Sequence, residues 1–578
     1  MSTSAFNPTP EQQAIIEHDG SAFIEACPGA GKTRVMVERA RRAVSQQREA
    51  PGRGLAFLSF TEAAVSELEA RLYREGVVQK PAFPHFIGTF DSFLWKFLIA
   101  PFGAPCERSP ARLIPDKKYL EIAPPNVART LPLECFDRVN GRAIEEELKE
   151  RGFDRSAKSY ETIAKALRAS LLEQGHLDFE DARELALNRL KDPPRSQVLA
   201  TAFAARFTEI IVDEAQDCNA LDLEIIDWMR GSGITVKVIC DPNQAIYGFR
   251  GGVGAELARF GESFPPSERL PMTGNFRSGK NIAKSILALR APSMRGNEDE
   301  ALGEYRHEPS PVHVLAYGGN GVPRSVGVKF GELVEALDLN PANCPIVAST
   351  LPSACKAAGV VSASKDGALS VRLATTVHTY HAASDMRVKK DALVGFHKIQ
   401  LELADELTDK TYQQYLLEHE IEPDHWRPRA IAMLDAMRFD RSRHSSASEW
   451  LRQAKTLLDP LRKPDASRSI SRRLPDKEEL GKVFTETDGL RQPAHTIHAV
   501  KGLEFDAICV VMTSRHAGSI IDFLSSPPGG EDNESARKIY VGASRARRLL
   551  SIAAPKSQAE RLRELLLGTG ADVELTRV

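Results

Sequence analysis

The segment Ala26-Cys27-Pro28-Gly29-Ala30-Gly31-Lys32-Thr33 follows the apolar run Ser21-Ala22-Phe23-Ile24 and opens a helix-like stretch. A strand, a glycine-rich turn and a helix start, in this order, form the arrangement that cradles a nucleoside triphosphate. Backbone N–H groups of such a turn converge on phosphate oxygens, and the helix N-terminus adds a partial positive charge. Lys32 is placed to reach the β- and γ-phosphates, and the Thr33 hydroxyl to hold Mg²⁺. Ala26 stands where the usual GxxxxGK[ST] pattern has its first glycine. The candidate nucleotide-binding run is Ala26, Cys27, Pro28, Gly29, Ala30, Gly31, Lys32, Thr33 and Arg34. Alone it specifies ATP or GTP and nothing finer.

Short apolar runs recur at Ser21–Ile24, Leu55–Phe60, Ile210–Val212, Thr235–Cys240, Val312–Ala316, Ile346–Ser349, Ala507–Met512 and Leu549–Ala553. Helix-like segments lie between many of them, which predicts parallel α/β sheets in two groups, one before about residue 265 and one after. Ligands of such open sheets bind beyond the carboxyl ends of the strands. The alternation breaks twice, at about 100–200 and 385–485, where the reading is mainly helical. A length of 578 residues suits about three to five domain-sized units. The net charge of −2 confines any nucleic-acid surface to local patches. Eight cysteines without a CxxC pair argue against a zinc ribbon or iron–sulfur cluster and for buried small hydrophobes. No basic-then-apolar leader or membrane-length apolar run is read, so a reducing cytoplasm is expected.

Downstream, Ile210-Ile211-Val212-Asp213-Glu214 is an apolar strand ending in two carboxylates. Asp213 is placed to hold Mg²⁺ and Glu214 to polarise the water that attacks the γ-phosphate, because phosphoryl transfer needs charge neutralisation and an oriented nucleophile. A second strand ends in Asp241-Pro242-Asn243-Gln244-Ala245-Ile246-Tyr247-Gly248-Phe249-Arg250. There Gln244 can sense a γ-phosphate, and Phe249 is either a base-stacking face or a core aromatic. Arg277 and Arg545 are each, alone, no more than surface charges. Reaching across a cleft to the γ-phosphate, they would neutralise transition-state charge and couple nucleotide state to closure.

The order of these segments resembles superfamily 1A DNA helicases of the UvrD/Rep/PcrA type. Thr9-Pro10-Glu11-Gln12-Gln13 is similar to the family's glutamine motif, Gly88-Thr89-Phe90-Asp91-Ser92 to its GTFHS element, Thr496-Ile497-His498-Ala499-Val500-Lys501-Gly502-Leu503-Glu504-Phe505 to TxHxxKGLEF, and Tyr540-Val541-Gly542-Ala543-Ser544-Arg545-Ala546 to YVAxTRA. The resemblance implies two RecA-like parallel-sheet motor domains, each with a mainly helical insertion. Residues 1–98 and 200–265 would form the first around an insertion at 99–199; residues 266–384 and 486–578 would form the second around a reduced insertion at 385–485. It further implies that Gln12 reads the adenine edge, Phe276 stacks on adenine and Glu504 contacts the ribose. Lys32, Asp213, Glu214, Gln244, Arg277 and Arg545 would serve catalysis, with ATP and Mg²⁺ as cofactors. Phe60, Thr89, Phe90, Phe249, Arg250, His498 and Lys501 would lie near DNA, with Phe60 and Phe90 equally readable as core.

The implied activity is 3′-to-5′ movement on single-stranded DNA, with strand separation at single-strand/duplex junctions. Departures from the pattern are Thr61-Glu62-Ala63-Ala64 in place of TNKAA, Asp91 in place of His and Phe249 in place of Trp. The lysine missing from Thr61–Ala64 and the compact second insertion keep open a second reading: a DNA-responsive regulatory ATPase subunit that controls a separate nuclease, as small members of Gabija-type anti-phage systems do. A GTPase or kinase suits Gln12 and the paired arginines less well. Basic runs at Arg142, Lys149, Arg151, Arg155, Lys158, Lys165 and Arg168 and at Arg462, Lys463, Arg468, Arg472 and Arg473 are either solvated faces or contacts to duplex phosphates. Little chain follows the last motif, so a fused nuclease is not expected.

Overall fold

A computed structural model gives the structure of the protein over residues 6–46, 52–104, 110–114, 120–125, 127, 130–138, 140–150, 153, 155–246, 254–296, 299–319, 321–359, 368–382, 386–407, 412, 415–416, 419, 421, 423–461, 469–485, 492–527 and 533–578. Phe249, Arg250, Arg151, Arg462, Lys463 and Arg468 lie outside the described residues.

Two six-stranded sheets, each parallel throughout, organise the larger of two compact units, which comprises residues 1–111, 179–358 and 492–578. The first contains β1 (Ala22–Ala26), β2 (Gly54–Ser59), β3 (Phe86–Thr89), β4 (Phe207–Val212), β5 (Thr235–Cys240) and β6 (Arg269–Met272) in the order β6-β1-β5-β4-β2-β3. The second contains β7 (Val312–Tyr317), β8 (Ile346–Ala348), β9 (Ala494–Thr496), β10 (Phe505–Val511), β11 (Ala546–Pro555) and β12 (Val573–Arg577) in the order β9-β8-β10-β11-β7-β12. Helices cover both faces, so inner strands such as β2 are buried at every position. In the second sheet the two-residue period is visible in the cores. Val314, Val510 and Ile552 join one apolar cluster, while Leu315, Val511 and Ala553 join the opposite one.

The expected α/β architecture with parallel sheets is present. Its boundaries differ from the sequence-based ones. Strand β6 lies beyond residue 265 and pairs with β1 in the first sheet. Helices Phe179–Lys191 and Pro193–Arg206 belong to the unit that holds the sheets, where Arg183 bonds Asp222 at 2.6 Å and Trp228 donates to Ser196 at 2.8 Å. Helix Leu369–Ala382 belongs to the second unit (residues 112–178 and 359–491), because its Leu373, Ala374 and Val377 pack among Phe396, Leu434 and Trp450.

The second unit is mainly helical around two apolar clusters, one holding Trp450 and Phe396, the other Phe136 and Tyr160. There Arg168 pairs with Asp178 and Arg473 with Asp405, so these members of the basic runs are bound within the fold. The described cysteines, all but Cys106, are buried. Among the described residues no helix is long and apolar enough to cross a membrane.

Candidate nucleotide and nucleic-acid site

The order β6-β1-β5-β4 sets four carboxyl ends side by side, with Ala26 opposite Met272, Glu25 opposite Cys240 and Val238 opposite Val212. The segments leaving these ends carry Arg277, the glycine-rich loop, Gln244 and the Asp213–Glu214 pair, so residues far apart in sequence converge by topology alone.

The loop from Cys27 to Gly31 joins β1 to helix α2 (Lys32–Gln46), whose first turn holds no acidic residue. Gly29 and Gly31 sit at φ +72° and +79°, in the left-handed region. Gly29 also lacks room: a methyl group there would lie 2.6 Å from Arg277 Cβ and 2.7 Å from Asn275 Oδ1. Its carbonyl accepts from the Phe276 N–H at 2.9 Å, and the Ala30 carbonyl accepts from Gln12 Nε2 at 2.9 Å. Gln12 Oε1 meanwhile accepts from Thr9 N at 3.0 Å, closing a capping box on helix α1 (Pro10–Glu17). Gln12 therefore ties α1 to the loop. Thr33 is half-buried in the first turn of α2. The Arg34 guanidinium pairs with Glu75 at 2.8 Å and Glu38 at 3.1 Å and lies over the Phe6 ring.

Lys32 Nζ lies 3.4 Å from Glu214 Oε1. Burial would lower its pKa, but Glu214, Asp213 and Asp241 outweigh burial and raise it. Burial and the adjacent Glu214 raise the Asp213 carboxyl. For Glu214 burial acts upward, but Lys32, Lys501 and Arg545 prevail and keep it ionised. Glu214 has φ +57°, unusual for a residue with a side chain. That backbone costs roughly 1–3 kcal/mol and persists where the surroundings hold it. Gln216, unassigned in the sequence reading, does so: its Nε2 donates to Glu214 Oε2, and its Oε1 accepts from Asp241 N at 3.0 Å.

The second sheet meets this site with the amino ends of β10 and β11, contrary to the expectation of carboxyl ends. Arg545 and Glu504 each precede a strand, and Phe505 N donates to Arg545 O at 3.0 Å. Arg545 is only 3% exposed, yet its hydrogen bonds end on neutral oxygens: Gln244 Oε1 at 2.5 Å, Val541 O at 3.0 Å and Ser544 Oγ at 3.0 Å. Burial and nearby Arg277 lower its pKa to about 10. Arg277 is placed differently, donating to Glu504 Oε1 at 2.7 and 2.8 Å and to Ser544 O at 2.8 Å. Arg547 takes the other Glu504 oxygen at 2.8 Å. Burial would raise the Glu504 carboxyl, but Arg277 and Arg547 hold it at about 2. The carboxylate expected at a ribose is thus shared between two arginines. Phe276 is half-buried beside the loop.

Three of the residues expected near DNA have partners within the fold. Phe90 is fully buried and stacks on half-buried Phe60 at 5.4 Å, so it is core. Thr89 accepts from Ser92 N at 3.1 Å and serves as a helix cap. Lys501 is drawn inward, its Nζ 2.6 and 2.7 Å from the Asp217 carboxylate and 3.3 Å from Gln244 O. His498 opens a short turn and lies against the Ile246 backbone. Asp91, where the family pattern has His, pairs with Arg183 at 2.7 Å.

Among the described residues no group of three or more His, Cys, Asp or Glu is arranged to hold a metal by itself. Thr33 with Asp213 is instead the sparse oxygen set that suits Mg²⁺ when phosphate oxygens and water complete its shell.

Residues 8–265 match the model of the UvrD/REP helicase N-terminal domain, and residues 485–557 that of the UvrD-like helicase C-terminal domain. Among similar proteins are DNA helicase II of Escherichia coli, 25% identical over 56% of this chain, and ATP-dependent DNA helicase PcrA of Staphylococcus epidermidis, 25% identical over 47%. ATP-dependent DNA helicase UvrD1 of Mycobacterium bovis is 26% identical over 49%. The matches cover 44%, 38% and 39% of those proteins, so the likeness spans less than half of each. With both family domains matched in order, and with their motif residues gathered around one loop, the chain belongs to the UvrD/Rep helicase family.

Proposed function

We propose that the chain is an ATP-driven motor that moves 3′ to 5′ along single-stranded DNA and separates strands at junctions. The carrying observation is Arg545, a buried guanidinium with only neutral acceptors beside an anion cradle; a γ-phosphate is the partner it lacks. ATP would sit on the Cys27–Gly31 loop with Lys32 at its β- and γ-phosphates. Bound Mg²⁺, held by Thr33 and Asp213, would supply Lewis-acid neutralisation of phosphate charge. Glu214, ionised and fixed by Gln216, would orient the attacking water and take its proton. Gln244 and Arg545 would sense the γ-phosphate; its loss on hydrolysis would remove the anion shared by the two sheets, and the cleft would reopen. The cell compartment that fits is the cytoplasm.

A regulatory ATPase subunit beside a nuclease is the second reading. It is favoured by the internal engagement of Phe90, Asp91 and Lys501, which leaves less side chain for gripping DNA. The test uses purified protein on duplexes bearing a 3′ or a 5′ single-stranded tail. DNA-stimulated hydrolysis with separation of the 3′-tailed duplex supports the motor. Stimulated hydrolysis without separation supports the regulatory subunit. Absent stimulation rejects both.

A further inference from the structure

A second group of buried polar side chains adjoins the site and is not used by the chemistry above. Tyr540 lies on helix α3 (Glu534–Ala543), five residues before Arg545, and packs against the turn Pro242–Gln244 that leaves β5. Its hydroxyl is 3.3 Å from Asp241 Oδ2. The same oxygen accepts from Gln244 Nε2 at 2.8 Å, while Asp241 Oδ1 accepts from Asn243 N at 3.1 Å. Arg290, whose charge acts on Tyr540, pairs with Asp299.

Donor chemistry gives this chain a direction. A carboxylate only accepts, so the single Tyr540 proton is directed to Asp241. Asp241 accepts on one side of Gln244 and Arg545 donates on the other. The Gln244 carboxamide therefore has one satisfied orientation. Flipped, it would set its oxygen against a carboxylate and its NH₂ against a guanidinium. Tyr540, Asp241 and Gln244 are 1%, 2% and 3% exposed, so water cannot replace a lost partner. Burial and Asp241 raise the Tyr540 pKa well above its ordinary value, which keeps the hydroxyl a donor.

We propose that Tyr540 is a positioning residue for ATP turnover: through Asp241 it fixes which face of Gln244 meets the γ-phosphate. It belongs to the helix that ends at Arg545 and acts on the turn after β5, so it registers the second sheet's approach in the geometry of the first. The proposal rests on the ATPase reading above.

Tyr540→Phe removes the donor and keeps the ring. DNA-stimulated kcat should fall about ten- to a hundredfold, the scale of one hydrogen bond to a charged group. KM for ATP should stay within about twofold, and the thermal midpoint should move less than about 3 °C. In a Gln244→Ala background, Tyr540→Phe should change kcat no further, because the group it positions is gone. Equal fractional losses in both backgrounds, or wild-type kcat in Tyr540→Phe, would overturn the proposal while leaving the ATPase reading intact. A wild-type chain without turnover would overturn both. If Tyr540→Phe does not fold, Asp241→Asn should show the same kcat loss, and normal turnover there would overturn the proposal equally.

Discussion

Arg277 and Arg545 reach one loop in different electrostatic states. A phosphate arriving beside Arg277 competes with Glu504, whereas beside Arg545 it compensates a buried charge bonded only to neutral oxygens. Arg545→Ala should therefore lower DNA-stimulated kcat by about a thousandfold, as loss of a transition-state arginine does, and more than Arg277→Ala; single-turnover phosphate release measures both. Glu214→Gln should keep ATP binding and lose turnover. Residues such as Lys32, Asp213, Glu214 and Arg545 were legible because motif spacing pins them to strand ends. Gln216, Asp241, Tyr540 and Arg547 were not, because their roles lie in hydrogen bonds between distant segments, 299 positions apart for Tyr540 and Asp241. Phe90 stayed open between core and DNA, and Lys501 was read toward DNA, because a residue's identity does not say whether its side chain points inward.

Among elements, legibility follows position in the sheet. The eight apolar runs all became strands, and within the two six-stranded sheets the four strands not anticipated, β3, β6, β9 and β12, are the four edges. Inner strands are covered on both faces and read as unbroken apolar runs, while an edge such as Val573-Glu574-Leu575-Thr576-Arg577 mixes polar residues. Packing decides what a motif hides. Phe90→Ala should cost about 3–5 kcal/mol of stability, seen as a lower denaturation midpoint. The sheet also clamps α1. Lys237 on β5 donates to His18 O and Gly20 O at 2.8 and 2.7 Å, and Arg39 donates to Ile16 O at 3.0 Å. Burial lowers Lys237 from 10.5 to about 8. Between these values the unfolded chain binds more protons, so this group adds stability as pH rises through 8 to 10.5, and its cost is fully present below 8. The thermal midpoint of the wild type should gain on that of Lys237→Met between pH 7.5 and 10.

At the scale of the whole molecule, the sheets meet through polar contacts, Gly29 with Phe276, Gln244 with Arg545, Asp241 with Tyr540 and Asp217 with Lys501, beside Ile246, which packs into the second sheet's apolar cluster. The last pair separates two accounts of one residue. If Lys501 gripped a DNA phosphate, Lys501→Met would reduce the slope of log affinity against log salt by about 1. As a buried ion pair it makes a different prediction. Removing the ammonium takes a charged partner from the buried Asp217 carboxylate, which costs up to about 3–5 kcal/mol, and the salt slope stays as in the wild type. Lys501→Met with Asp217→Asn should recover most of that stability, because no uncompensated charge remains. Binding of a single-stranded oligonucleotide across a salt series, beside thermal unfolding of the three proteins, measures both quantities. A reduced slope with unchanged stability would place Lys501 on the DNA instead.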